Sequence, residues 1–301
     1  MRAVVVDGFG GPERVAVVRV PLPRPAAGQV RVRVRAAGLN PVDGAVRAGV
    51  FGGEGQRLGF GWDVAGEIDE LGAGLAGTGG WSVSDPVVGL HYGPVEPLGT
   101  HAEYVVLDAS ALAAAPSSVP EASAAALPLS GLTAARAVDL LGLAPGSSVL
   151  VTGAAGVVGG LAVELAVRAG YVVTGLAGAG DEELVRSLGA AAFVPRGSAP
   201  AGPVDGVVDA AVLGRAALDS VRDGGVYVGL RPGSAPAAER GIRVAEQEVA
   251  ADGEHLARLV ALVDAGELTL RVAETFPLAQ APEAHARLAD GVRGRIVLTA
   301  P

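Results

Sequence analysis

Cysteine is absent from all 301 residues. Without thiols there is no disulfide, no thiolate zinc ligand and no cysteine nucleophile. Positive charge is also short: 23 Lys+Arg against 32 Asp+Glu give a formal net charge of −9. That balance argues against a nucleic-acid partner, which needs a basic face, and against an anionic membrane surface. No uninterrupted apolar run approaches a membrane span. The opening Met1-Arg2-Ala3-Val4-Val5-Val6-Asp7 is too short an apolar run for a signal peptide and meets a carboxylate at once. A soluble cytoplasmic protein is the expectation.

What is plentiful is small and apolar. Half of the residues are hydrophobic, much of that Ala and Val, and 46 are glycine. A sizeable, finely packed core is therefore available. The length suits one large or two ordinary domains. No internal repeat is visible.

The chain is organised around Val149-Leu150-Val151-Thr152-Gly153-Ala154-Ala155-Gly156-Val157-Val158-Gly159-Gly160. A short apolar run meets a Gly/Ala turn, an amphipathic run follows over 161–168, and a second β-rich run begins at Tyr171. Strand, glycine turn, helix and strand open a dinucleotide-binding βαβ unit. Small residues let the backbone approach a pyrophosphate. The helix starting near Gly156 turns its N–H groups and positive dipole end toward the anion. The turn reads G-A-A-G-V-V-G rather than G-x-G-x-x-G. The same residues would serve a plain α/β crossover, so the flanking elements carry the nucleotide reading.

The rest of the chain falls into blocks. Residues 2–6, 14–20, 62–69 and 102–107 read as strands, with glycine-rich loop over 72–86. Residues 30–35, Val-Arg-Val-Arg-Val-Arg, alternate as a half-buried strand with a solvated arginine face. From about Glu121 the texture changes: helices over 122–127 and 132–141, then, beyond the glycine turn, helix 182–188, strand 191–194, strand 204–210, helix 213–222 and strand 226–230. Such alternation predicts a parallel, doubly wound sheet. After Gly233 the chain loosens. Helix 253–265, strand 270–276, helix 282–289 and strand 295–299 make a mixed tail that returns to the first block.

In this order and spacing, several stretches resemble the medium-chain dehydrogenase/reductases, and within them the zinc-free, zeta-crystallin-like quinone oxidoreductases. They are Ala36-Ala37-Gly38-Leu39-Asn40-Pro41-Val42-Asp43, Gly61-Trp62-Asp63-Val64-Ala65-Gly66, residues 99–105, Leu129-Ser130-Gly131-Leu132-Thr133-Ala134, the 153–159 turn, and Arg293-Gly294-Arg295-Ile296-Val297-Leu298. The resemblance implies an α/β protein of two domains. A GroES-like β-rich catalytic domain over 1–120 is completed by 245–301, and a Rossmann parallel-sheet domain occupies 121–244. It implies NADPH as cofactor and hydride transfer to a quinone or an α,β-unsaturated carbonyl compound, in a homodimer. An enoyl-thioester reductase of polyketide or fatty-acyl metabolism and a non-catalytic NADPH-binding protein are the alternatives. A zinc site is set aside on ligand chemistry, since His91, His101, His255 and His285 are scattered and cysteine is missing.

By the same resemblance, Asn40, Asp43 and Arg47 are the catalytic candidates, Asn40 and Asp43 lie near the nicotinamide and its ribose, with Asn40 also binding the cofactor, and Thr133 lies near the nicotinamide. Ala154, Ala155, Gly156, Val157 and Val158 form the pyrophosphate turn, and Gly229, Leu230 and Arg231 meet the nicotinamide end. Asn40 also suits a turn before Pro41, and Asp43 a helix N-cap. Where the family often carries tyrosines, this chain has Ala45 and Phe51, so a phenolic proton donor is missing there. Arg47 is left as a donor or as a structural ion-pair partner. Phe51, Phe60 and Trp62 suit an apolar pocket or plain core. The second Rossmann strand ends Thr174-Gly175-Leu176-Ala177-Gly178 with no acid before Asp181. That permits a 2′-phosphate. Arg196 is the first candidate cation for it and Arg186 the second, each of which equally suits a solvated surface.

Overall fold

The computed structural model describes residues 1–75, 80–198 and 200–301. Of the loop expected over 72–86, residues 76–79 lie outside the described residues. The chain divides into two compact units. One comprises residues 1–129, 250–266 and 270–301, the other 130–249 and 267–269. Among the described residues no helix is long and apolar enough to cross a membrane.

The first unit is built on strands β1 (Arg2–Asp7), β2 (Val15–Arg19), β3 (Gln29–Leu39), β4 (Arg57–Gly59), β5 (Asp63–Leu71), β6 (Pro86–Leu90), β7 (Tyr104–Asp108) and β8 (Leu112–Ala114). Helix α1 (Pro41–Arg47) follows β3, and α2 (Glu121–Ala124) precedes α3 (Pro128–Leu141), which carries the chain onward. β3 places Val30, Val32 and Val34 in a fully buried cluster with Val64, Ile68, Val87 and Val105. Its arginine face is only partly solvated, with Arg33 and Arg35 half-buried. Arg31 is buried, donates to Asp69 at 2.6 Å and also pairs with Glu70, and Arg35 pairs with Glu67 at 3.2 Å. These three acids lie on β5, the antiparallel neighbour, so each cation faces a cross-strand anion.

The short strands β4, β6 and β8 carry no alternating pattern of their own and exist through pairing with β1, β5 and β6. α3 starts four residues before the expected 132, because Pro128 fits a first turn, where no N–H is needed.

The second unit contains β9 (Ser148–Thr152), α4 (Val157–Arg168), β10 (Val172–Ala177), α5 (Glu182–Ser187), β11 (Ala192–Pro195), β12 (Val204–Asp209), α6 (Arg215–Leu218), β13 (Val221–Gly229) and β14 (Arg243–Glu246). The sheet runs β11-β10-β9-β12-β13-β14, with every pairing parallel. In strands counted from β9 that is 3-2-1-4-5-6, the Rossmann order, whose switch point lies between β9 and β12. The helix expected over 213–222 shrinks to α6. The buried Asp209 carboxylate takes the N–H groups of Leu213 and Gly214, and Val221 already pairs with Val204. β14 arises within the stretch read as loose.

The tail supplies α7 (Gly253–Asp264), β15 (Val272–Pro277), α8 (Ala281–Ala289) and β16 (Arg295–Thr299) to the first unit. β16 lies between β15 and β3, so the sheet order there is β15-β16-β3-β5-β6-β8, with β7 also on β3.

Candidate active site

In the second unit several of the candidate residues lie at one edge of the parallel sheet. β9 ends at Thr152, Gly153 turns with φ of 62°, and α4 begins after Gly156. A Cβ on Gly159 would run into the Gly153 carbonyl oxygen, so the first helical turn sits directly on the glycine turn. The N–H groups of Val157 and Val158 belong to the first turn of a twelve-residue helix, where helix geometry gives them no carbonyl four residues back within the helix. Ala154, Ala155 and Gly156 lie in the turn between β9 and that helix.

The same edge is braced around Asp209. Its carboxylate accepts the Thr152 hydroxyl at 2.6 Å, the Tyr227 hydroxyl at 2.7 Å, and the N–H groups of Leu213 and Gly214 at 3.0 and 2.8 Å. Thr152 Oγ1 in turn accepts the Ala211 N–H. Burial and the Asp209 carboxylate both raise the Tyr227 phenol. The network joins the ends of β9, β12 and β13 at the switch point.

Thr174 and Gly175 lie inside β10, opposite Leu150 and Val151, not at its end. Gly175 is buried where a Cβ would press on Val185 and Ala154. The strand's last residue, Ala177, accepts the Arg196 N–H at 2.6 Å. Arg196 is exposed, and its guanidinium has no partner among the described residues. Arg186 differs: Glu182 at 2.8 Å and the Ala191 carbonyl at 3.3 Å hold it. Gly229 ends β13, followed by a half-buried Leu230 and an exposed Arg231. Thr133 is buried on α3.

In the first unit Asn40 and Asp43 come together in a buried polar brace. Asn40 caps α1 and is 1% exposed; Asp43, three residues on, is fully buried. The helix therefore starts at Pro41, ahead of the expected Asp43 cap. Asp43 accepts the Asn40 N–H and the Gly61 N–H, both at 2.8 Å. The Asn40 side-chain amide donates to the Gly38 carbonyl at 3.2 Å and to Asp63 at 2.6 Å. Asp63 also accepts the Leu129 N–H at 2.5 Å. Burial raises the Asp43 carboxyl and pushes Asp63 up to about 6, against the pull of Arg295. Burial lowers Arg295 in turn.

Two histidines complete this cluster. His101 Nε2 lies 3.0 Å from the Gly38 carbonyl, which makes Nε2 the protonated nitrogen. Arg47 reaches His285 Nδ1 at 3.2 Å and the His285 carbonyl at 3.4 Å. Arg47 is thus held by a neutral imidazole, and among the described residues no carboxylate forms an ion pair with it. Burial, His101 and Arg47 push His285 down to about 2. The His285 ring stacks at a tilt on Phe60, with centroids 4.7 Å apart. Phe60 and Trp62 are buried, whereas Phe51 is exposed. Among the described residues no group of three or more His, Asp or Glu could hold a metal ion.

Asp63, His101, His285, Arg295, Asp209 and Tyr227 were not singled out as site residues by sequence reasoning. Three of them stood in view, in the G-W-D-V-A-G, G-T-H-A-E-Y and R-G-R-I-V-L stretches. Nothing local to those stretches says that they converge.

Comparison with known proteins agrees with this architecture. Residues 26–117 match the family model of the alcohol dehydrogenase GroES-like domain, and residues 180–298 that of the zinc-binding dehydrogenases. The chain is 30% identical to the chloroplast envelope quinone oxidoreductase homolog of Arabidopsis thaliana, over 99% of this chain and 98% of the relative. It is 29% identical to the chloroplastic NADPH-dependent alkenal/one oxidoreductase of the same plant, over 99% and 79%. Among solved structures, the quinone oxidoreductase of Coxiella burnetii superposes with a TM-score of 0.90 at 28% identity, covering 100% of this chain and 99% of that one.

Proposed function

This chain belongs to the medium-chain dehydrogenase/reductases of the quinone oxidoreductase type, and from that membership we propose that it is an NADPH-dependent reductase of quinones or α,β-unsaturated carbonyl compounds, working without zinc. The observation that carries the proposal is the edge of the parallel sheet, where the glycine turn, the first turn of α4 and the Arg196 guanidinium, without a partner among the described residues, gather. NADPH would supply a hydride there.

The protein's part is binding and orientation. Val157 and Val158 N–H groups and the α4 dipole receive the pyrophosphate, with Ala154, Ala155 and Gly156 as its wall. Arg196 binds the 2′-phosphate as a charge-assisted partner. Gly229, Leu230, Arg231 and Thr133 attend the nicotinamide end. Asn40 and Asp43, both buried, hold the β3–α1 corner in shape, and the half-buried Arg47 holds His285; internally bonded, these residues position rather than exchange protons. The proton that follows hydride addition comes from solvent. Zinc independence is supported by the donor set: cysteine is absent and the two buried histidines bond within the core. A homodimer is supported by β14, which ends the parallel sheet with one side unpaired.

Fluorescence titration with NADPH and NADH, on wild type and Arg196→Ala, followed by turnover with a panel of quinones and enones, tests the reading. Arg196→Ala should weaken NADPH about tenfold, the scale of one charge-assisted contact, and leave NADH unchanged. Binding without turnover would favour a non-catalytic NADPH-binding protein. Turnover confined to acyl thioesters would favour an enoyl-thioester reductase. Failure to bind either nucleotide would overturn the proposal.

A further inference from the structure

The loop that follows β13, residues 230–235, is shaped by a residue outside it. In the β13–β14 ladder Gly229 stands opposite Glu246, and the Gln247 N–H continues the ladder to the Gly229 carbonyl at 2.9 Å. That register sets the Glu246 side chain beside the loop. Its carboxylate accepts three consecutive backbone N–H groups: Gly233 at 2.9 Å on one oxygen, Ser234 at 2.9 Å and Ala235 at 2.7 Å on the other. Successive N–H groups converging on one anion form a nest. They hold the Glu246 carboxyl below its ordinary range.

The rest of the loop follows from that clamp. Ser234 donates through both its hydroxyl, at 2.6 Å, and its N–H, at 3.1 Å, to the Arg231 carbonyl. This closes a turn with Gly233 at φ of 75°. Ala235 packs against the core around Tyr227. Arg231, by contrast, is exposed, and its guanidinium has no partner among the described residues. A Cβ added at Gly229 would meet only ordinary contacts, 3.4 Å to Tyr227 Cε1 and 3.7 Å to Ala235 Cβ. Internal packing therefore does not demand glycine there. A glycine that packing does not require, at the ligand-facing end of a parallel strand, marks close approach by a ligand.

We propose that Glu246 is a positioning residue that presets the 230–235 loop, and with it Gly229 and Arg231, for the nicotinamide end of the cofactor. The inference rests on the cofactor reading given above. The clamp is made to backbone N–H groups alone, so Glu246 acts through the backbone it holds. Preorganisation of this kind matters because a displacement of about 1 Å in a positioning element can cost up to roughly a hundredfold in rate.

The test uses the full-length chain as wild type, Glu246→Ala and Glu246→Gln. Three quantities are read: amide hydrogen exchange at residues 233–235, NADPH affinity by fluorescence, and kcat with a quinone. In Glu246→Ala, exchange at the three amides should accelerate while the strands keep their protection. NADPH binding or kcat should fall about tenfold or more. Glu246→Gln retains one carbonyl acceptor and should recover part of both. Loosened amides with unchanged affinity and kcat would overturn the proposal, as would amides that stay protected. If wild type bound no nicotinamide nucleotide, the cofactor reading would fail first and take this inference with it. Wild-type binding with indifferent variants would remove the inference alone.

Discussion

Asp63 accepts the side-chain amide of Asn40 at 2.6 Å, and both residues are out of contact with solvent. The other Asp63 oxygen holds the Leu129 N–H. Asn40 at the end of β3 and Leu129 in the first turn of α3 are therefore tied through one carboxylate. Asp63→Ala takes one of two acceptors from the buried Asn40 amide, leaves the half-buried Leu129 N–H without its acceptor and strips Arg295 of one of its two nearby anions. A loss of about 2–5 kcal/mol is expected. Urea unfolding would read it as a lower midpoint at unchanged slope. A loss under about 1 kcal/mol would mean that the cluster relaxes without cost.

The pH dependence of stability carries a signature of the same cluster. His285 is depressed to about 2 from 6.5, and Asp63 is raised to about 6 from 3.8. Between about pH 4 and 6 the unfolded chain protonates His285 but not Asp63, and the folded chain does the reverse. The two slopes, each about 1.4 kcal/mol per pH unit, oppose each other. Stability from this pair is flat in that window and falls below about pH 4. His285→Asn removes one side of the balance. Stability of that variant should rise as pH falls from 6 to 4, since the raised folded value of Asp63 favours the proton-bound native state. Urea midpoints that fall across that range would refute the assignment.

Gly159 carries the contact between α4 and the glycine turn. Gly159→Ala forces the helix off the Gly153 carbonyl, and nucleotide affinity should drop by tenfold or more while the circular dichroism spectrum is kept. Gly202→Ala, where a Cβ meets nothing within 4 Å, is the control, and its effect should be slight.

Tyr227→Phe removes one of four donors from the buried Asp209. A cost of about 1–3 kcal/mol follows from the unmet acceptor. Because Asp209 also holds Leu213 and Gly214, protease sensitivity should appear first in the loop after β12. Cleavage elsewhere first would argue against that coupling.

Elements governed by their own neighbours were legible in the sequence. The β9–turn–α4 unit was, because its signal is a local apolar run, a small-residue turn and a helical period. The parallel alternation followed for the same reason. What escaped reading depends on distant partners. The β3 arginines looked solvated because Glu67, Asp69 and Glu70 meet them only across the sheet. Strands β4, β6, β8 and β14 are too short to show alternation. The 213–222 helix was overdrawn because Asp209 diverts its first N–H groups. Asn40, Asp43 and Arg47 were visible as polar residues after a strand. Their brace was not, since Asp63, His101, His285 and Arg295 come from four separate stretches.

The placement of β16 has a consequence for how the chain is made. Its register, Ile296 against Leu39 and Thr299 against Ala36, pairs the last strand with one laid down about 260 residues earlier. All six strands of the Rossmann sheet are made before that strand exists. The second unit is therefore free to fold during synthesis, while residues 36–39 of β3, beyond the stretch that β7 pairs, keep one side open until β16 is made. That open edge is the stage at which a nascent chain is most exposed to aggregation and most dependent on a chaperone.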